Sequence, residues 1–254
     1  KVRGDPEGYL NKGSVCPKAL TLPERQAHPR RLLHPLQRVG ERGGGRWRRI
    51  SWEQALEAVA EGLSEVKSRY GAQGVAFCQG MPKGLEHFQL IRLANCFGSP
   101  NVVAVQDVCH APREVSGRHT CGFYPVPDYH HPTSLLLLWG SNPACTNEEG
   151  AVSSLVAARL REGAGLVVID PCRTRLAERA DLWLQPYPGT DGALALAMLR
   201  IIVQESLYDR DFVEHWTSGF AELAEQLRAC DPDALAEACG LRPEEIAKAA
   251  RLYA

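Results

Sequence analysis

Cys109 is followed directly by His110 inside the run Asp107-Val108-Cys109-His110-Ala111-Pro112. A thiolate is a soft ligand suited to a soft transition metal, and coordination keeps it deprotonated. An imidazole beside it can take or relay a proton near neutral pH. Most isolated Cys-His pairs are nothing more than a thiol next to a loop histidine. This pair, however, closely follows Val102 to Val105, an apolar run that reads as a strand. It therefore stands at a strand end, where α/β proteins bind their ligands, a position that counts only together with the wider pattern below. A second cysteine in a loop context is Cys16, in Gly13-Ser14-Val15-Cys16-Pro17-Lys18.

Three polar turns also follow apolar runs. In Trp139-Gly140-Ser141-Asn142-Pro143, Gly140 allows close approach of a phosphate, and Ser141 and Asn142 add short polar groups beside a helix N-terminus. In Asp170-Pro171-Cys172-Arg173-Thr174, Asp170 can accept from ribose hydroxyls and Arg173 can meet a phosphate; a helix cap with a solvated arginine is the alternative. In Pro188-Gly189-Thr190-Asp191-Gly192, Asp191 is either a helix cap or a carboxylate for the paired N–H donors of guanine, which adenine lacks. If these turns converge, they frame one nucleotide cleft, whose far end the resemblance described below would open toward the sulfur of Cys109.

The elements that must position them alternate along the chain. Ser51 and Gln54 form a capping box ahead of the stripe Ala55, Leu56, Val59, Leu63 and Val66, which predicts a helix ending near Gly71. Strands are expected at 75–78, 102–105, 134–138, 166–169 and 182–184, with helices at 85–97, 148–161 and 191–205. Short helices follow from Asp209 to the end, with starts marked by Asp231-Pro232 and Arg242-Pro243. Continuous apolar strands alternating with helices imply a parallel sheet covered on both faces. The fold expected is α/β, with layered parallel sheets flanked by helices in a dinucleotide-binding arrangement, after a loop-rich stretch over residues 1–50.

Composition sets the outer limits. The 254 residues suffice for one large or two modest domains, 44% are hydrophobic and the formal net charge is −1, which argues against nucleic acid as a general partner. Eight arginines and two acids between Glu24 and Arg49 make either a solvated basic loop or a surface for an anionic cofactor or partner subunit. The apolar run Leu135 to Trp139 is far too short to span a bilayer. Nine cysteines at irregular spacing do not read as a disulfide framework. Cys78, Cys96, Cys230 and Cys239 fall in apolar patterns and are expected to be buried. His130-His131 reads as a surface loop rather than a metal pair, and His87 and His215 as packed or solvated. Arg113 and Arg118 are candidates to line a substrate funnel or touch a phosphate. No signal sequence opens the chain, and Lys1-Val2-Arg3-Gly4-Asp5 reads as a start in mid-domain.

In combination, these segments resemble the bis-molybdopterin guanine dinucleotide oxidoreductases, the dimethyl sulfoxide reductase and formate dehydrogenase superfamily. The segments are Arg49 to Leu56, Gly140-Ser141-Asn142-Pro143, Asp170-Pro171, Arg173-Thr174, Gly189-Thr190-Asp191, Tyr208-Asp209 and Phe212-Val213. The resemblance implies a cofactor of two molybdopterin guanine dinucleotides with Mo or W. It places Gly140, Ser141, Asn142, Asp170, Arg173, Thr174, Gly189 and Asp191 in the cofactor loops. Cys109 becomes the metal ligand, as in formate dehydrogenases, where a cysteine or selenocysteine precedes histidine, and His110 assists proton movement. Cys16 resembles the fourth ligand of a [4Fe–4S] cluster, and Lys18 the lysine between cluster and pterin. The sequence departs from the family pattern at Ala19, usually glycine, and at Cys172, where many relatives carry arginine. The other cluster cysteines would precede Lys1, so the chain reads as a fragment.

The domains implied are a remnant of an iron–sulfur domain with its linker over residues 1–48, part of a first α/β domain over 49–108, and part of the dinucleotide-binding domain over 109–254. The activity implied is formate oxidation to carbon dioxide, with electrons passed through the pterin to the cluster. A small-molecule substrate and an iron–sulfur electron-transfer subunit would be the partners. The framework also resembles acetylene hydratase and the sulfur-compound reductases, which generally lack the Cys-His pair, and electron-carrying scaffold subunits that have lost the metal site. The choice of Mo or W, the electron acceptor and the compartment are left open.

Overall fold

The structure is a computed structural model that describes residues 1–8, 13–15, 17–81, 84–146 and 152–254. The chain divides into two compact units, one formed by Lys1–Gln26 with Asp128–Ala254 and the other by Ala27–Pro127.

The larger unit is built on a sheet of β5 (Leu135–Trp139), β6 (Gly165–Ile169) and β7 (Leu182–Leu184), hydrogen-bonded in that order. Both pairings are parallel, and their register aligns Trp139 with Ile169 and Ile169 with Leu184. The strands therefore finish level. Period-two alternation then splits their side chains between two cores. Val167, Ile169 and Leu184 pack with Leu194, Ala197 and Met198 of α8 (Asp191–Gln204), with Ala236 and Cys239 of α11 (Pro232–Cys239), and with Ile246, Ala249 and Ala250 of α12 (Pro243–Tyr253). Leu136, Leu138, Leu166 and Val168 pack on the opposite face with Val156 of α7 (Val152–Arg161) and with Leu176 and Ala177. A sheet covered by helices on both faces is what continuous apolar strands require. Helices α9 (Arg210–Trp216) and α10 (Phe220–Ala229) complete the series expected after Asp209. The Asp209 carboxylate accepts from the Phe212 N–H, and Asp231 caps α11 ahead of Pro232.

The stretch read as loop-rich holds two short helices, α1 (Pro17–Leu20) and α2 (Leu22–Ala27), and an antiparallel pair, β1 (Leu36–Arg38) with β2 (Trp47–Arg49). In the unit of Ala27–Pro127, the capping box opens α3 (Trp52–Tyr70): Ser51 Oγ accepts from the Gln54 N–H while Gln54 Oε1 accepts from the Ser51 N–H. Gly71, at φ +77°, ends this helix. The parallel strands β3 (Phe77–Gln79) and β4 (Val102–Ala104) flank α4 (Leu85–Phe97). Phe77 is buried against the edge of the Phe97 ring, at 5.8 Å between centroids.

Several expectations need correction. The first strand begins two residues later than the apolar run suggests, because Val75 closes a 3₁₀ turn. The stripe on α3 is only partly covered, with Leu56 65% and Val59 59% exposed. Cys78 and Cys96 are exposed and Cys230 is half-buried, so of the four cysteines expected inside only Cys239 is buried. Cys78 pairs with Val103, itself 48% exposed, on the uncovered face of a sheet of only two strands. The expected helix over 148–161 is seen from Val152 on, its first turn lying outside the described residues.

Candidate cofactor and metal site

The three polar turns leave one edge of the β5–β6–β7 sheet. Gly140 N–H donates to the Ile169 carbonyl at 2.8 Å, and Asp170 N–H to the Leu184 carbonyl at 3.1 Å, so the ladder runs to the last residue of each strand. The third turn is tied to the first. The indole N–H of Trp139, the last residue of β5, donates to Asp191 Oδ1 at 2.7 Å. Asp191 is the first residue of α8, and its side chain reaches across to the strand end instead of capping the helix. Thr190 occupies the cap position, but its hydroxyl donates to the Tyr187 carbonyl at 2.7 Å.

Both glycines of these turns stand in backbone that favours glycine, Gly140 at φ +56° and Gly189 at φ +87°. A Cβ on either would meet nothing within 4 Å. Glycine is therefore set by conformation there, and the space beside both turns is open. Ser141 is exposed and Asn142 half-buried, its carbonyl accepting from the Cys145 N–H at 3.0 Å at the start of α6 (Pro143–Thr146).

The middle turn serves its own structure first. Asp170 is 9% exposed, and its Oδ1 accepts from the Cys172 N–H at 2.7 Å. Its backbone carbonyl accepts from the Trp183 indole at 2.9 Å. Thr174 Oγ1 accepts from the Ala177 N–H at 3.0 Å. Arg173 is open to solvent, its side chain 70% exposed, and meets Glu178 at 3.4 Å. An exposed ion pair of that kind is weak and easily exchanged for a phosphate. The Asp170 carboxylate thus closes a turn within its own loop, and the Arg173 guanidinium lies in solvent beside Glu178.

Cys109 belongs to the unit of Ala27–Pro127. β4 runs into a 3₁₀ turn over Val105–Val108, braced by the Asp107 carboxylate accepting from the Ala104 N–H at 2.9 Å. Cys109, half-buried, closes that turn and caps α5 (His110–Cys121). The first N–H groups and the positive dipole end of a helix suit an anionic ligand atom. The sequence reading missed α5, and with it the partners of His110. His110 Nε2 lies 3.4 Å from Glu114 Oε2, one helical turn on, and the ring stands edge-on to Tyr124 at 5.1 Å. Arg118 binds the other side of that carboxylate at 2.7 Å and, with its charge, holds the Glu114 carboxyl below the usual glutamate range. Arg118 is thus engaged within its own helix, while Arg113 is exposed. The i, i+4 spacing of His110 and Glu114 was a signal in the sequence, but it becomes one only where a helix is recognised. Gln106 Oε1, in the turn before Cys109, is buried with no hydrogen-bond partner among the described residues.

The other candidates separate cleanly. Cys16 lies outside the described residues, and Lys18 is exposed on α1. His131 is 81% exposed and pairs with Asp128, and no cluster of metal-binding side chains occurs among the described residues. His215 pairs with Asp211 in solvent, and the half-buried His87 lies 2.5 Å from Gln79 Nε2. No helix among the described residues is long and apolar enough to cross a membrane.

Level parallel strands that open onto glycine turns, a fixed carboxylate and an exposed arginine define an α/β domain of the kind that binds ligands at strand carboxyl ends. The chain belongs to the molybdopterin oxidoreductase family, whose model matches residues 31–236. It is 37% identical to acetylene hydratase of Syntrophotalea acetylenica over all of this chain and 35% of that protein. Thiosulfate reductase molybdopterin-containing subunit PhsA of Salmonella typhimurium is 30% identical over 98% of this chain and 32% of its own length. Formate dehydrogenase H of Escherichia coli is also 30% identical, over 98% of this chain and 36% of its own length. Among solved structures, acetylene hydratase from Pelobacter acetylenicus superposes with a TM-score of 0.72 at 35% identity, covering 94% of this chain and 33% of that one. The chain thus spans about a third of the length of these relatives. Membership implies a molybdopterin cofactor with Mo or W. Within the larger unit the open glycine turns and the tethered Asp191 suit the nucleotide part of such a group, and within the unit of Ala27–Pro127 the thiol at a helix N-terminus suits a soft metal.

Proposed function

We propose that this chain is part of a formate dehydrogenase-like enzyme whose metal is held by Cys109. The observation that carries the reading is the Cys109-His110 pair at the start of α5, with the ionised Glu114 carboxylate 3.4 Å from the imidazole. When bound, the pterin-held Mo or W supplies two-electron redox chemistry at a soft metal ion. Cys109 offers the thiolate ligand. His110 would take the proton released as formate becomes carbon dioxide, with Glu114, 3.4 Å away, orienting the ring. Gly140, Ser141, Asn142, Arg173 and Thr174 would hold the phosphates, Asp170 the ribose, and Gly189 with Asp191 the guanine of a guanine dinucleotide. Lys18 and Cys16 would serve the electron path to a [4Fe–4S] cluster and an iron–sulfur partner subunit.

A second reading, acetylene hydration on the same cofactor, is favoured by the 37% identity to acetylene hydratase over the whole chain. The protein that carries this chain, purified with its cofactor, is expected to reduce a viologen dye with formate. Conversion of acetylene to acetaldehyde without formate oxidation would favour the second reading instead. Protein purified free of both metals from cells supplied with both would sink both readings and leave an electron-transfer scaffold.

A further inference from the structure

Trp139 is half-buried at the end of β5 and packs against the core shared by α8, α11 and α12. An indole offers one donor and no acceptor, and here that donor goes to Asp191 Oδ1 at 2.7 Å. The turn that carries Asp191 is fixed from the other side by the end of α11. Tyr187 N–H donates to the Cys239 carbonyl at 3.0 Å, and the Cys239 thiol to the Thr190 carbonyl at 3.7 Å. Gly240, at φ +66°, lies so close that a Cβ there would come within 2.5 Å of the Tyr187 ring. The backbone of the turn is therefore held by α11, and the carboxylate itself by Trp139.

We propose that Trp139 is a positioning residue that sets guanine selectivity, by fixing the rotation of the Asp191 carboxylate. This rests on the reading of Asp191 as the guanine acceptor. One N–H on Oδ1 leaves the second lone pair of Oδ1 and the whole of Oδ2 for parallel bonds from guanine N1–H and N2–H₂. A carboxylate held in one rotamer meets both donors at once without losing torsional freedom on binding. Adenine presents no such donor pair, so loss of the fixed rotamer lowers guanine affinity and leaves adenine affinity where it was.

The test titrates the full-length protein that carries this chain, purified without cofactor, with GMP and with AMP. The unaltered chain is expected to prefer GMP, Asp191→Asn to abolish the preference, and Trp139→Phe to reduce it by about two- to tenfold, as suits one neutral-to-charged hydrogen bond acting indirectly. AMP affinity stays constant in both variants. A chain without guanine preference, unchanged by Asp191→Asn, overturns the guanine reading and the proposal with it. A preference that Asp191→Asn removes but Trp139→Phe leaves intact overturns the proposal alone. Should Trp139→Phe not fold, the indole N–H resonance of Trp139 decides in the unaltered chain. It is expected to move on adding GMP and not on adding AMP, and a resonance indifferent to both overturns the role of Trp139.

Discussion

The chemistry proposed for this chain turns on the separate duties of two neighbouring side chains. In that proposal the sulfur of Cys109 holds a metal, whereas the ring of His110 handles a proton, and the two can be removed independently. Replacing His110 with Gln keeps a polar side chain but removes the titratable ring. Formate-dependent turnover is then expected to fall by about 10²- to 10⁴-fold, the usual worth of a positioned acid or base. Metal content, measured by elemental analysis, stays unchanged. Cys109→Ala, by contrast, lowers both. Equal metal loss in the two variants would make His110 a structural neighbour of the ligand and nothing more. Glu114 acts at the same scale: its carboxylate is kept ionised by Arg118 and supports the ring from one turn away.

At the scale of elements, α8 carries the Asp191 turn at its start and an ion pair at its end. Arg251 of α12 binds the Glu205 carboxylate through Nε at 2.8 Å and Nη2 at 2.6 Å. That bidentate bond holds the Glu205 carboxyl below the ordinary glutamate value of 4.5. A carboxyl whose folded pKa is depressed adds stability above its unfolded pKa, and the contribution fades as pH falls through the folded value. Glu205→Gln is therefore expected to lower the urea midpoint at pH 7 by a small amount, since the pair is exposed. The difference from the unaltered chain should shrink as pH drops below 4.5, the unfolded value. A difference that persists undiminished well below that pH would mean the glutamate acts by packing alone.

For the molecule as a whole, the longest described run without helix or strand is the connection between α5 and β5. Residues 122–134 form no helix or strand, and Phe123 is 60% exposed. The strands and helices on either side are hydrogen-bonded. Brief digestion with chymotrypsin is expected to cut this region first after Phe123, giving a new amino terminus at Tyr124 that mass spectrometry identifies. A first cut inside β6 or α8 would contradict the packing described, because Val167, Ile169 and Leu194 are at most 1% exposed. Burial is uneven across the chain. Leu56, Val59 and Phe88 are more than half exposed, whereas the β5–β6–β7 sheet is covered on both faces.

Periodicity, caps and breakers in the sequence by themselves determined the α/β class, the capping box at Ser51 and the strands from Leu135 onward. Each of these depends on neighbours a few residues apart, which a sequence displays directly. The same local logic located Cys109-His110 and the glycine turns. It failed where distant residues decide. Helix α5 escaped for a local reason, since it has no clear apolar stripe and opens with His110-Ala111-Pro112, so the i, i+4 spacing of His110 and Glu114 had no recognised helix to give it meaning. Cys78 and Cys96 lie in apolar patterns yet are exposed, because burial depends on which elements cover a face. The clearest instance is Asp191, which has the place and type of a helix cap. The level register of β5, β6 and β7 instead brings Trp139, 52 residues away, to its carboxylate, and only the tertiary structure brings them together.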